Sequence, residues 1–78
     1  MSVVAKIEHS SKFDTKCITE KLIGLGYEAI STDNVVYASH NSRTYNDLKK
    51  ALSSSMLECK VSNSMKMMYG SNTLSVAK

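Results

Sequence analysis

Four side chains, His9, Cys17, His40 and Cys59, are of types that could bind a metal ion or perform nucleophilic chemistry. A structural zinc site usually takes two of its ligands from one short turn, separated by only two to five residues. No two of these four residues lie that close in the chain. We therefore expect no metal site and no cofactor.

The sequence offers no local arrangement for catalysis. A cysteine nucleophile needs an imidazole base within reach and an oxyanion site nearby, and neither is evident at a short spacing. The seven acidic residues are scattered rather than paired. Gly24 and Gly26 follow a helical stripe, whereas phosphate-binding glycines precede a helix. We expect a protein without enzymatic activity.

The cysteines also bear on the cellular compartment. Residues 1–6 reach a lysine too soon to form the apolar core of a secretory signal. We therefore expect a cytoplasmic protein. Because disulfides do not persist in a reducing cytoplasm, we expect free thiols and treat a Cys17–Cys59 bridge as the alternative. No apolar run approaches the ~20 residues of a membrane-spanning helix, so we expect none.

Apolar periodicity predicts the elements that would position these residues. Alternation of two residues indicates strands, spacings of three and four indicate helices, and Asp33-Asn34 favours a hairpin turn. The predicted elements are a strand at 3–8, a helix that opens at 13–14 and closes at 26, a hairpin of 27–30 with 35–38, a second helix capped by Thr44 or Ser42 that frays at 53–55, and strands at 57–62, 65–69 and 74–76.

The order of these elements predicts a single small α+β domain. A chain of 78 residues is sufficient for one hydrophobic core. The β-α-β-β-α-β order resembles the split βαβ arrangement of ferredoxin-like folds, with one or two extra strands at the C-terminal end. An α+β sandwich of other connectivity is the alternative.

Positive charge is concentrated in the second half of the chain. Residues 1–40 contain four lysines and five acids, whereas residues 41–78 contain six basic residues and two acids, which leaves net charges of −1 and +4. Such a surplus could bind a phosphate backbone weakly, although solubility alone also explains it. Base stacking on the sheet is disfavoured because the first strand has no aromatic residue. The residues of a nucleic-acid surface would be Arg43, Lys49, Lys50, Lys60 and Lys66.

A methionine-rich segment at residues 56–69 is the least ordinary feature of the sequence. Met67 and Met68 place apolar groups on both faces of one strand, although a strand buried on one face needs them on that face only. Either part of the segment contacts a partner, or flexible methionines fill an irregular core. An exposed strand of this type could pair with its copy, so we expect a homodimer.

These features together favour a small interaction protein that binds and covers a larger protein, as an inhibitor or adaptor. Small proteins of this class are common in phage and mobile-element genomes, where they act on host machinery, and this origin is a class-level expectation. A nucleic-acid-associated protein is the alternative. The predicted partner-binding residues are Arg43, Tyr45, Lys49, Lys50, Met67, Met68 and Tyr69.

Overall fold

The computed structural model describes residues 3–9, 12–61, 64–70 and 72–77 of the chain. Its elements, numbered in chain order, are β1 Val3–Glu8, α1 Lys12–Gly24, β2 Glu28–Thr32, β3 Val35–His40, α2 Tyr45–Glu58, β4 Met65–Tyr69 and β5 Asn72–Val76.

The five strands form one antiparallel sheet in the order β2-β3-β1-β4-β5. Helix α1 packs against β2 and β3, and α2 packs against α1 and β5. Buried side chains of both helices and of the strands belong to one hydrophobic core, so both helices lie on the same face of the sheet. The prediction of a small α+β domain is confirmed. Within the described ranges, neither helix is long and apolar enough to cross a membrane.

Alternation along the strands separates a covered face of the sheet from an open one. Met65 and Met67 in β4 are completely buried against the helices, whereas Lys66 between them is exposed. Strand β4 lies between β1 and β5, contrary to the expectation that an exposed methionine strand pairs two copies. Met67 is part of the core and cannot contact a partner while the domain is folded. Met68 lies on the open face and is partly buried.

Helix α1 ends as the sequence predicts. Gly26 adopts a φ of +96°, the left-handed conformation that glycine adopts without strain. The Tyr27 N–H donates to the Leu22 carbonyl at 3.0 Å, and the Gly26 N–H donates to the Ile23 carbonyl at 3.0 Å. These two bonds are those of a Schellman motif, and the buried pair Tyr27 and Leu22 provides its usual hydrophobic contact.

Helix α2 ends in the same motif, three residues later than predicted and without a glycine. The Val61 N–H donates to the Met56 carbonyl at 3.0 Å, and the Lys60 N–H donates to the Leu57 carbonyl at 3.2 Å. Lys60 takes the left-handed position with a φ of +57°. The predicted strand at 57–62 is therefore wrong over residues 57–61, because their apolar alternation belongs to the last helical turn and its cap; residue 62 lies outside the described residues.

The prediction that α2 frays at the serine-rich stretch 53–55 is wrong, because the helix continues to Glu58. The Ser55 hydroxyl donates to the Ala51 carbonyl at 2.7 Å, which satisfies a buried hydroxyl inside the helix. At the other end, Thr44 and Asp47 form a reciprocal capping box that fixes where the helix begins.

Cys17 and Cys59 are joined by a disulfide, with their Cα atoms 6.0 Å apart, so the prediction of free thiols is wrong. Cys17 is in α1, and Cys59 is the C-cap of α2. Because α2 continues to Glu58, its end lies beside the neighbouring helix rather than in a separate strand. The bond links the two helices on the covered face of the sheet.

Candidate interaction surface

The face of the sheet opposite the helices carries a row of side chains that crosses all five strands. Ile30 is paired with Tyr37, Tyr37 with Lys6, Lys6 with Met68, and Met68 with Thr73. Partners that lie directly opposite one another share a face of the sheet. We call these five residues the open-face row.

The hairpin of β2 and β3 sets the register of the open-face row. Asp33 has a φ of +50°, as the two-residue turn at Asp33-Asn34 requires. The hydroxyl of the buried Thr15 in α1 donates to the Asp33 carbonyl at 2.9 Å, which ties the turn to the helical layer. This register places Ala29 and Ala38 opposite each other toward the helices, and Ile30 and Tyr37 opposite each other toward solvent.

The open-face row is apolar over much of its length and lacks cover from the described chain. Ile30 is 66% exposed and Tyr37 is 42% exposed. A groove of about 240 Å³ runs beside these two side chains between β2 and β3. Its lining residues are Glu28, Ala29, Ile30, Tyr37, Ala38 and Ser39.

The charges that surround the open-face row are balanced. The Lys6 ammonium lies 3.3 Å from the Glu8 carboxylate. By strand parity, the remaining charged side chains of this face among the described residues are Lys66 and Glu28. Two lysines and two glutamates leave no net charge on the open face. This face therefore lacks the positive potential that a nucleic-acid surface requires.

Arg43, one of the predicted partner-binding residues, ties the end of α1 to the start of α2. Its guanidinium donates to the Leu25 carbonyl and lies over the Tyr27 ring, 5.1 Å from the ring centroid. A Cβ on Gly26 would come within 3.4 Å of the same guanidinium. These contacts hold the positive charge of Arg43 at the C-terminal end of α1, where a cation is favourable.

The aromatic residues of the predicted partner set pack against each other on the covered side. The Tyr45 and Tyr69 rings are 5.1 Å apart between centroids, and both side chains are partly buried against the core. Of the methionines at 56, 65, 67 and 68, only Met68 lies on the open face. The predicted partner residues therefore do not form one surface.

The basic residues of the nucleic-acid alternative are also divided. Lys49 and Lys50 are exposed on α2, and Lys60 follows the end of that helix. Lys66 lies on the opposite face of the sheet. Near the start of α2, a cavity of about 410 Å³ has both basic and acidic groups in its wall. Its lining residues are Leu25, Tyr27, Arg43, Asp47, Lys50, Ala51 and Ser54.

The Asp47 carboxylate beside this cavity is engaged in capping α2. The carboxylate accepts from the Thr44 N–H at 3.0 Å, and the backbone N–H of Asp47 donates to the Thr44 hydroxyl at 3.2 Å. Hydrogen bonds from the Thr44 backbone and side chain hold the pKa of Asp47 below its ordinary value, with smaller contributions from the positive charges of Lys50 and Arg43. This group is a helix cap rather than an acid or base poised for catalysis.

Both histidines participate in contacts that organise connections between elements. The His40 Nδ1 accepts from the backbone N–H of Ser42 at 3.0 Å and of Arg43 at 3.2 Å. The His9 Nδ1 lies 3.4 Å from the Asp14 carboxylate, and the His9 side chain is only 4% exposed. Among the described residues, no three His, Cys, Asp or Glu side chains converge as metal ligands.

Comparisons with protein-family models, curated proteins and solved structures find no match to this chain. The functional interpretation therefore depends on the geometry of the site alone. The partner-binding residues predicted from the sequence include neither Ile30 nor Tyr37. Strand parity counted outward from the Asp33-Asn34 turn would have placed both side chains together, because they are equally far from the turn.

Proposed function

We propose that this protein is a non-enzymatic interaction protein that covers a surface of a larger protein with the open face of its sheet. The observation that carries the proposal is the open-face row, in which Ile30, Tyr37 and Met68 lie in line across the sheet with no cover from either helix. Ile30 and Tyr37 are both exposed and lie directly opposite each other, and adjacent exposed apolar groups favour a binding surface. An inhibitor or adaptor needs such a surface and no chemistry.

The composition of the open face favours a protein over a nucleic acid as the partner. Protein interfaces are enriched in aromatic residues and methionine at their centre and have few charges there. Tyr37 and Met68 match that composition, with Lys6 between them in an ion pair with Glu8. Base-stacking sheets use aromatic residues on both central strands, but β1 contributes only Lys6 and Glu8 among its described outward side chains.

We also propose that the fold is ferredoxin-like. The elements from β1 to β4 follow the order β-α-β-β-α-β, and their strands lie side by side as β2-β3-β1-β4. Strand β5 then extends the sheet beyond β4 as a hairpin. This arrangement places two helices on one face and leaves the other face for binding.

A nucleic-acid role through α2 is the second candidate. The observation in its favour is the adjacent exposed pair Lys49 and Lys50. With Arg43 engaged and Lys66 on the other face, Lys49, Lys50 and Lys60 remain of the five predicted nucleic-acid residues. Three phosphate contacts predict a shallow dependence of affinity on salt, with a slope of about −3 in log–log form.

We no longer infer a cytoplasmic location. A reducing cytoplasm implies free thiols, whereas Cys17 and Cys59 are joined. Disulfides persist chiefly in oxidising compartments.

The test is capture of a partner by the tagged protein from its native lysate, with charge-introducing variants on two surfaces. Tyr37→Glu and Met68→Glu change the two residues that flank Lys6 in the open-face row. Leu57→Glu is the matched control, because Leu57 is apolar and 62% exposed on α2. We expect a stoichiometric protein that survives nuclease treatment and raised salt, is lost with the Tyr37 and Met68 variants, and is retained by the Leu57 variant.

Two outcomes would contradict the proposal. Equal capture by wild type and both open-face variants would show that this face does not bind the partner. A catch that disappears with nuclease, and that depends on Lys49 and Lys50 rather than Tyr37, would support the nucleic-acid candidate instead. Each variant should first show the circular dichroism spectrum and thermal midpoint of the wild type.

A further inference from the structure

We propose that β2 is a self-association edge, and that the β2 strands of two copies pair antiparallel about Ile30 to form a continuous ten-stranded sheet. The inference concerns the rim of the sheet and does not depend on the proposed partner of the open-face row. It changes the expected route to a homodimer, because the methionine strand β4 is an interior strand of the sheet.

The outer edge of β2 has unused backbone pairing capacity. β2 is a terminal strand of the sheet and pairs only with β3 within the described chain. Because ladder bonds alternate along an antiparallel strand, every second residue of β2 turns its N–H and C=O away from β3. An edge of this type is a template for another strand unless charge, proline or a covering element blocks it. β2 contains no lysine and no proline.

The other terminal strand, β5, lacks comparable features. Its outward side chains on the open face are Thr73 and Ser75, which are polar. Beyond its end, the Ala77 carbonyl accepts from the Ser53 hydroxyl of α2 at 2.7 Å. β2 instead presents Ile30, which is 66% exposed and has the highest exposure among the large apolar side chains described. An apolar side chain at the rim favours β2 as the edge that pairs.

The sequence of β2 is compatible with a second copy of itself. Antiparallel pairing centred on Ile30 places Ile30 opposite Ile30 of the second copy. Glu28, the one charged residue of β2, then lies opposite Thr32 of the second copy. No acid meets an acid, and directly opposed apolar side chains stabilise an antiparallel pair. This complementarity identifies the occupant as a second copy rather than an unrelated peptide.

Helix α1 offers a second apolar group on the same flank of the domain. Lys21 faces α2, since its ammonium lies 3.3 Å from the Glu58 carboxylate. Ile23 is two positions later, about 200° further around the helix, and so lies on the flank away from α2. Since α1 covers the β2 and β3 side of the sheet, this is the flank of the β2 edge. Ile23 is 53% exposed, and dimerisation would bring it toward its symmetry mate.

The experiment measures mass in solution and uses a charge swap at Ile30. The wild type should approach twice the 8.6 kDa chain mass in sedimentation equilibrium as its concentration rises. Ile30→Lys and Ile30→Glu should each weaken association at least about tenfold, because like charges would lie directly opposite each other. A mixture of the two variants should recover a dimer that contains one copy of each, detected by native mass spectrometry.

Leu57→Lys provides the matched control, because it places the same charge on an equally exposed apolar position of α2 and should dimerise like the wild type. A wild type that stays monomeric at the highest concentration would overturn the proposal. So would a dimer unaffected by both Ile30 variants, or a mixture of them that fails to associate. Because the mixed dimer requires two folded variants of opposite charge, its recovery cannot arise from general destabilisation.

Discussion

Breaking the Cys17–Cys59 bond should remove a large fraction of the stability of the domain. The bond joins residues separated by 42 positions, and the enclosed segment includes β2, β3 and all of α2. Without the bond, this segment has more conformational entropy in the unfolded state, which favours unfolding. The perturbation is therefore mainly an effect on the unfolded chain.

The expected magnitude follows from the length of the enclosed loop. Chain-entropy estimates give about 3 kcal/mol for 15 residues and about 4.7 kcal/mol for 100, so this loop corresponds to about 4 kcal/mol. A domain of this size has a total unfolding free energy of roughly 4–12 kcal/mol. The bond thus supplies about a third of the total or more. The thermal midpoint should fall by about 15–30 °C on reduction.

Thermal unfolding followed by circular dichroism would measure the effect, with and without reductant. The Cys17→Ser/Cys59→Ser double variant should match the reduced wild type, and reductant should not change the variant further. Alkylation of native, non-reduced protein should leave both cysteines unmodified. Full alkylation without reductant, or a double variant whose midpoint equals that of the oxidised wild type, would refute the reasoning.

Two further predictions concern the ends of α2. The hydrogen bonds with Thr44 hold the pKa of Asp47 in the folded protein below its ordinary value of 3.8. The ionised Asp47 carboxylate therefore stabilises the fold fully above pH 3.8, and this stabilisation is lost as the pH falls below that value. Asp47→Asn should reduce the acid dependence of the thermal midpoint, and an unchanged acid profile would contradict this assignment. Lys60→Gly should raise the free energy of unfolding in urea by about 0.5–1 kcal/mol, since glycine adopts the left-handed conformation without the cost that lysine bears there; a loss of stability would show that the side chain of Lys60 contributes more than its backbone costs.

Local rules predicted the elements whose signals are complete within a few residues. Gly26 predicted the end of α1, and Asp33-Asn34 predicted the hairpin turn, because both positions have residues suited to a positive φ. The same rules failed at the end of α2, where Lys60 occupies the position that usually holds glycine. Without that signal, the apolar alternation after residue 56 has the pattern of a strand.

Features that depend on packing between elements could not be read from spacing alone. The Cys17–Cys59 bond requires the two helices to lie side by side, which the sequence does not specify at either cysteine. The importance of Ile30 was also hidden, because a run of Tyr27, Glu28, Ala29 and Ile30 suggests that the largest aliphatic side chain is buried. Pairing with β3 instead places the small Ala29 toward the helices and Ile30 toward solvent.

The stabilising contacts and the proposed recognition surface lie in different layers of this domain. The disulfide, the Lys21–Glu58 ion pair and the contacts of Arg43 all tie the helical layer together on the covered face. The described side chains of the open-face row belong to a separate surface, exposed on the opposite side. A substitution that abolishes partner capture and leaves the thermal midpoint unchanged therefore acts on the binding surface itself. One that lowers both acts through the helical layer, and only the first result assigns a residue to the interface.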